Sequence, residues 1–105
     1  MIIINGRFET TPDAIAALTS AIATMETASR AEAGCHDYAF SVELSHPNVI
    51  RITECWADMA ALEAHFATPH MATFQAALAA HPPTSREVHF YDVDREIPRP
   101  EFPSR

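Results

Sequence analysis

Residues 36–56, HDYAFSVELSHPNVIRITECW, have the pattern of two strands joined by a tight turn. In residues 36–44 the larger apolar side chains fall on every second position, which is the period of a strand with one drier face. Proline and asparagine within residues 45–48 favour a chain reversal. Residues 49–56 are then predicted to form the antiparallel partner strand of this hairpin.

The segment before the hairpin predicts one strand and one helix. Residues 2–9 are β-branched at their start and end at turn-forming residues, so we expect a strand there. Thr11 followed by Pro12 is typical of a helix start, with a hydroxyl N-cap and proline at the first helical position. Apolar residues then recur at spacings of three and four until Gly34, which predicts a helix with one buried face.

The segment after the hairpin predicts a second helix and a last strand. Asp58 is expected to cap the helix, and Thr68-Pro69 repeats the cap-then-proline signal, so we expect the helix to break and restart there. Two prolines after His81 end it. Residues 86–93 alternate well enough to predict the fourth strand.

The predicted order is β-α-β-β-α-β, the ferredoxin-like arrangement of an α+β protein, with a four-stranded antiparallel sheet and two helices on one face. We assign residues 1–94 to this domain and residues 95–105, which hold three prolines, to an extended C-terminal tail. The uncovered sheet face is expected to carry many apolar side chains. Packing it on a second copy would bury them, so we expect a homodimer, with the tail crossing to the partner subunit.

Composition excludes several classes of partner. The chain has 105 residues, enough for one domain, and its formal net charge is -7. All seven basic residues are arginines spread along the chain, so no basic patch predicts nucleic-acid binding. No apolar run is long enough to predict a membrane span. Cys35 and Cys55 are too few for a disulfide scaffold, so we expect reduced thiols and a cytoplasmic location.

Three segments resemble the antibiotic biosynthesis monooxygenase family. They are EAGCHDY at residues 32–38, ECWAD at residues 54–58 and AALEAHFATPHM at residues 60–71. They follow the family's pattern of E-x-G-C-x-x-Y, then E-x-W, then L-x-A-H-x-x-x-x-H. The resemblance extends over about residues 1–94 and is closest to the small bacterial quinol monooxygenases. It implies a dimeric α+β barrel.

The resemblance also implies a reaction. Members of this family oxidise electron-rich phenols, hydroquinones or anthrones to quinones with O2, without metal, flavin or nicotinamide. The expected partners are therefore a small aromatic substrate and O2, with no cofactor. The chain has only two glycines, too few for a dinucleotide-binding loop, and no Ser nucleophile motif. An isomerase or decarboxylase on the same scaffold, or a non-enzymatic dimer that binds an aromatic molecule, remain alternatives.

Three residues are candidates for catalysis. Trp56, the only tryptophan, is expected at the end of a strand, where the family places one beside the pocket. His65 lies at the apolar edge of its helix and has a usable proton affinity. Asn5 is the one amide on the first strand, and a buried amide requires a partner. His65 or Asn5 would contact the phenolic oxygen. Each also has a structural interpretation, as a core, boundary or edge residue.

Further residues are candidates for substrate binding. We expect pocket walls from Tyr38, Phe40, Phe66, His70 and Phe74, although core packing is the alternative for each aromatic side chain. Glu54 shares a strand face with Trp56 and is a weaker candidate for the base. Five helical residues would rotate His70 by about 140° from His65, so we expect no metal site from this pair unless the break realigns them. Gln75 stands where haem-degrading relatives carry a histidine ligand, which argues against haem.

Overall fold

A computed structural model describes residues 1–103 of the chain. The elements in chain order are β1 (Ile2–Glu9), α1 (Pro12–Arg30), β2 (Cys35–Glu43), β3 (His46–Trp56), α2 (Met59–Phe66), α3 (Pro69–Ala80) and β4 (Ser85–Asp92). The four strands form one antiparallel sheet in the order β2-β3-β1-β4. This is the predicted α+β, ferredoxin-like fold, with the second helix divided into α2 and α3.

The three helices begin where the sequence predicts, because each has a side chain that caps its first turn. The Oγ1 atom of Thr11 accepts the Ala14 N–H of α1 at 3.2 Å. The carboxylate of Asp58 caps α2 at 2.8 Å. Thr68 caps α3, and its hydroxyl also donates to the carbonyl of His65 at 2.7 Å. Thr68 and the following proline therefore separate α2 from α3.

The hairpin turn is shorter than predicted. Residues 45–48 were expected to form it, but β3 already begins at His46, which pairs with Glu43. Only Leu44 and Ser45 link β2 to β3. The proline at position 47 is tolerated in β3 because the pairing of β1 with this strand reaches only to Val49. The missing N–H of proline therefore costs no hydrogen bond to β1.

The core lies between the helices and one face of the sheet. Alternate residues of β1 and β3 point towards the helices, as the buried positions along both strands show. Leu18 and Met25 of α1 and Leu62 of α2 close the core from the other side. The helices do not cover the whole face, since Phe90 on the edge strand β4 is 55% exposed. An open cleft remains there.

The face of the sheet away from the helices is more polar than expected. Arg7 forms ion pairs with Glu9 at 2.7 Å and Glu43 at 3.8 Å, and Arg51 pairs with the same Glu43. The apolar strand residues lie mostly on the other face, in the core. The expectation of a largely apolar outer face is therefore wrong, and homodimer formation stays a prediction that this premise no longer supports.

The C-terminal tail leaves the domain after β4. The N–H of Val93 still donates to the carbonyl of Met1 at 2.8 Å. Beyond it the described tail has no helix or strand, and Ile97 and Phe102 are 58% and 69% exposed. Of the predicted tail, residues 104–105 lie outside the described residues. Its crossing to a partner subunit stays a prediction.

Candidate functional site

The candidate site is a cleft between the sheet and the last two helices. Strands β1, β2, β3 and β4 supply its floor, and α2 and α3 supply one wall. Its volume is about 80 Å³. Six aromatic side chains line it, namely Phe8, Tyr38, Phe40, Phe66, Phe74 and Phe90. Four of the five predicted substrate-binding residues are among the lining residues of this cleft.

Glu54 is the carboxylate in this lining. It lies on the helix-facing side of the central strand β3, between Ile4 of β1 and Tyr38 of β2. Only 7% of the residue is exposed, and the indole N–H of Trp56 donates to its Oε1 atom at 2.9 Å. Burial raises the pKa of Glu54, while the Trp56 hydrogen bond acts in the opposite direction. Glu54, a weaker candidate for the base from sequence, thus lies in the cleft lining.

Tyr38 forms the wall next to Glu54. Its ring packs edge-on against Phe40, with centroids 5.8 Å apart, and Phe40 in turn lies 5.4 Å from Phe74. Burial, together with the negative charge of Glu54, raises the pKa of Tyr38. The phenol therefore keeps its proton at neutral pH and can act as a hydrogen-bond donor.

Two further polar side chains line the cleft and were not predicted as part of the site. Gln75 projects from α3. Arg86, at the start of β4, holds its guanidinium 5.5 Å from the ring centroid of Phe8. Arg86 lies on the side of β4 that faces the helices, opposite Phe8 of β1. A charged residue at such a position is the sequence signal that could have identified Arg86 as a site residue. Together they place an amide and a positive charge in the same cleft as Glu54.

Trp56 and His65 lie one layer behind the cleft, not in its lining. Both are 0% exposed, and their ring centroids are 4.5 Å apart. The predicted placement of Trp56 beside bound substrate is therefore not seen, and its observed contact is with Glu54. His65 is likewise screened from the cleft, so direct contact of its imidazole with a substrate oxygen finds no support in the geometry.

Asn5 lies away from the cleft. Along β1 the buried positions are Ile2, Ile4, Gly6 and Phe8, so the exposed Asn5 points to the opposite face of the sheet. Its cross-strand neighbours there are Thr53 and His89. The structure thus does not bring Asn5 together with His65 or with the cleft. Strand alternation separates them, and the period-2 pattern of β1 was sufficient to show this.

The helix break brings His70 to His65, which is the realignment left open above; one continuous helix would separate them by about 140°. Nδ1 of His65 and Nε2 of His70 contact the same Oε2 atom of Glu32, at 2.7 and 2.8 Å. The rotation of about 140° applies only to an unbroken helix, whereas α2 ends at Phe66 and α3 starts at Pro69. His70 does not line the aromatic cleft, and its predicted role in substrate binding stays a prediction.

Cys35 and Cys55 are free thiols, as expected. Burial raises the pKa of Cys35, and the carboxylates of Glu32 and Glu54 add to this effect. A thiol with a raised pKa is a poor nucleophile at neutral pH. Neither cysteine lines the cleft.

The fold and the cleft define a small ferredoxin-like α+β domain with an aromatic cleft and one buried carboxylate in its lining. The family described as antibiotic biosynthesis monooxygenase matches residues 1–77, and the chain belongs to this family. Within the described residues, no helix has the length and apolar character needed to cross a bilayer.

Solved structures agree with this assignment. A Deinococcus radiodurans protein, described as a candidate antibiotic biosynthesis monooxygenase, is 28% identical, with a TM-score of 0.86 over 96% of this chain and 100% of that chain. A Mycobacterium tuberculosis protein is 25% identical, with a TM-score of 0.80 over 90% of this chain and 96% of the other. A Nitrosomonas europaea protein, 18% identical over 90% of this chain and 100% of its own, shares the fold with a TM-score of 0.82. No curated protein matches the chain.

Proposed function

We propose that this protein is a monooxygenase that oxidises a small electron-rich phenol or hydroquinone with O2 and uses no metal, flavin or nicotinamide. The observation that carries the proposal is the position of Glu54. It is a buried carboxylate with a raised pKa, in the lining of a cleft whose walls are aromatic and aliphatic. Such a carboxylate is a stronger base than an exposed one, and the cleft fits a flat apolar ring.

The chemistry requires a base and an anion-stabilising environment. Ground-state O2 accepts one electron at a time, and a phenolate gives up an electron more readily than a phenol. Glu54 would accept the phenolic proton. Arg86 and Gln75 would stabilise the negative charge that develops on the substrate and on reduced oxygen. One oxygen atom then enters the ring, at the free para position of a phenol or at another free ring carbon of a hydroquinone, and the other leaves as water. The substrate supplies all four electrons and becomes a quinone.

The size of the cleft supports a single-ring substrate over a polycyclic one. Its volume of about 80 Å³ is well below the roughly 300–1,000 Å³ of pockets that enclose drug-sized ligands. A hydroquinone or a simple phenol fits this space better than an anthrone. The ring would lie between Phe40, Phe66 and Phe74, the predicted pocket walls.

The predicted catalytic residues take supporting roles in this proposal. Trp56 holds Glu54 through the indole N–H, and His65 packs against the indole ring. Asn5 faces away from the cleft of its own chain, so it would contribute only at an interface with a second copy. We retain the homodimer and the cytoplasmic location as proposals. A mass of two chains by light scattering at micromolar concentration supports the dimer, and a monomer mass overturns it.

The experiment follows O2 uptake by purified protein with a panel of phenols, hydroquinones and anthrones in the presence of a chelator. Incorporation of labelled oxygen from ¹⁸O2 into the quinone identifies monooxygenation. Glu54→Gln should lower kcat by about 100-fold or more, the usual contribution of a general base. Glu63→Gln, which replaces an exposed carboxylate on α2, is the matched control and should leave kcat unchanged.

Other outcomes separate the alternatives. Tight binding of a substituted phenol without O2 uptake favours a non-enzymatic aromatic-binding protein. Product formation without O2 consumption favours an isomerase or decarboxylase on the same scaffold. Turnover that survives Glu54→Gln overturns the role of Glu54 as base.

A further inference from the structure

Three potential metal ligands from three different elements meet behind the cleft. Glu32 lies in the turn between α1 and β2, His65 in the last turn of α2, and His70 in the first turn of α3. One nitrogen of each imidazole lies within hydrogen-bond distance of Oε2 of Glu32, at 2.7 and 2.8 Å. The three ligand atoms lie within 4.8 Å of one another. The proposed oxidation uses neither Glu32 nor His70.

Local structure fixes this arrangement. The hydroxyl of Thr68 donates to the carbonyl of His65 and caps α3, so the break between the two helices is itself ordered. Gly34, with φ of 79°, turns the chain after Glu32 into β2. The N–H of Ala57 donates to the carbonyl of Gly34 at 2.8 Å, which ties this turn to the start of α2. The ligands are therefore held from both sides.

The surroundings of the His65 imidazole favour a cation between His65 and Glu32. Its Nε2 atom is buried and has no hydrogen-bond partner among the described residues. The ring is surrounded by the aromatic rings of Trp56, Tyr38 and Phe66, at centroid distances of 4.5, 5.5 and 5.9 Å. Aromatic surroundings accommodate an N–H better than a bare lone pair. In the tautomer with the proton on Nε2, the lone pair of Nδ1 points towards the Glu32 carboxylate, and a cation placed between these two groups would bind both.

The donor set selects the kind of cation. Two imidazole nitrogens and one carboxylate oxygen are the ligands of zinc-like divalent ions, and three protein ligands leave a fourth position for water. Bond lengths of about 2.0–2.2 Å require ligand atoms roughly 3.3 Å apart. The two contacts of Glu32, at 2.7 and 2.8 Å, must therefore lengthen by about half an ångström, and the two imidazole nitrogens must take a similar spacing. Glu32 and His70 can move, since their side chains are 14% and 22% exposed, while His65 is fixed at 1%.

We propose that Glu32, His65 and His70 bind one divalent transition-metal ion of the zinc type, outside the aromatic cleft. The ion would link the turn between α1 and β2 to the helices α2 and α3. The net charge of -7 favours attraction of a cation. This proposal does not depend on the oxidation reaction. A metal bound at this place would stabilise the fold, because binding to the folded state alone adds to its stability.

The test uses the full chain, freed of metal with a chelator, and two probes added alone, Zn²⁺ and Co²⁺. Calorimetry should show one equivalent of Zn²⁺ bound with a micromolar or lower Kd. Co²⁺ should give the visible absorption of a four-coordinate nitrogen and oxygen site. The melting temperature should rise by several degrees when Zn²⁺ is in excess.

Two variants and one control make the test specific. Glu32→Gln and His70→Asn should each weaken Zn²⁺ binding by about 100-fold and abolish the Co²⁺ spectrum, while circular dichroism shows that the metal-free fold is kept. His46→Asn, at an exposed histidine on the hairpin, should bind as the wild type does. Lack of binding at 100-fold excess, or binding that persists in both variants, overturns the proposal and leaves a hydrogen-bonded trio only. No substrate is present, so this result and the failure of the proposed oxidation are independent.

Discussion

The indole N–H of Trp56 donates a 2.9 Å hydrogen bond to Oε1 of Glu54, two residues earlier on the same face of β3. A strand places residues i and i+2 side by side, so the E-x-W pattern builds this contact directly into the chain. The bond occupies one carboxylate oxygen of Glu54 and fixes the side chain at the wall of the cleft. Trp56 thereby positions Glu54, although it does not itself line the cleft.

We predict that Glu54 makes stability fall as pH rises. Burial holds the pKa of Glu54 above its ordinary value of 4.5, so ionisation costs the folded state more than the unfolded chain. This contribution to stability is complete below the ordinary pKa and is lost as pH rises through the raised one. A pKa raised by one unit corresponds to about 1.4 kcal/mol. Glu54→Gln should therefore gain stability relative to wild type above that range.

Urea unfolding at about pH 4 and about pH 8 measures this difference, because the two pH values lie on either side of the ordinary glutamate pKa of 4.5. Glu63→Gln is the control for loss of a carboxylate from an exposed position. A stability difference between Glu54→Gln and wild type that is the same at both pH values would contradict the prediction.

We predict that Trp56→Phe raises the pKa of Glu54 further. The hydrogen bond from the indole favours the ionised carboxylate, and phenylalanine cannot donate it. Loss of the bond and of buried ring volume should also lower the free energy of unfolding by roughly 1–3 kcal/mol. Carbon NMR of the labelled carboxyl group measures the titration in both proteins. An unchanged titration of Glu54 would show that the 2.9 Å contact has no effect on its charge.

We predict that Gly34→Ala lowers the free energy of unfolding for two reasons, backbone strain and a steric clash. The φ of 79° lies in the left-handed region, where a side chain costs about 1–2 kcal/mol. A Cβ at this position would also lie 2.7 Å from the Cβ of Ala61 on α2. Thermal unfolding of Gly34→Ala, Ala61→Gly and the double variant separates the effects. The double variant should be more stable than the sum of the single changes predicts, since the clash is removed. Strict additivity would argue against the clash.

The sequence predicted the elements of this fold well because their signals are local. Thr11, Asp58 and Thr68 cap the helices through bonds to residues three positions ahead, and strand alternation needs only near neighbours. The extent of the hairpin turn was wrong because the tolerance of β3 for proline depends on where its pairing with β1 stops. That boundary is a relation between distant segments.

The aromatic part of the candidate site was predictable because its signals are also local. Large aromatic residues on the core-facing sides of strands and helices have few other places to pack, and the cleft is lined by Tyr38, Phe40, Phe66 and Phe74. Glu32 could not be connected with His65 and His70 from spacing. The contact depends on the change of axis between α2 and α3, which no periodicity within one helix describes.

We predict that Thr68→Ala costs more stability than Thr11→Ala. Both residues are N-caps preceding a proline, and loss of either cap should cost about 1 kcal/mol. Thr68 additionally donates to the carbonyl of His65 at 2.7 Å, whereas Thr11 has only its capping bond. The carbonyl of His65 keeps the bond from the Thr68 N–H at 3.2 Å, so loss of the hydroxyl bond adds about 0.5–1 kcal/mol. The extra bond also orients α3, so Thr68→Ala should loosen the contact of His70 with Glu32.

Urea unfolding of both variants gives the stability difference, and imidazole NMR signals report the contact. Equal losses of stability, with unchanged His70 signals, would mean that the break between the helices is held by Pro69 and packing alone.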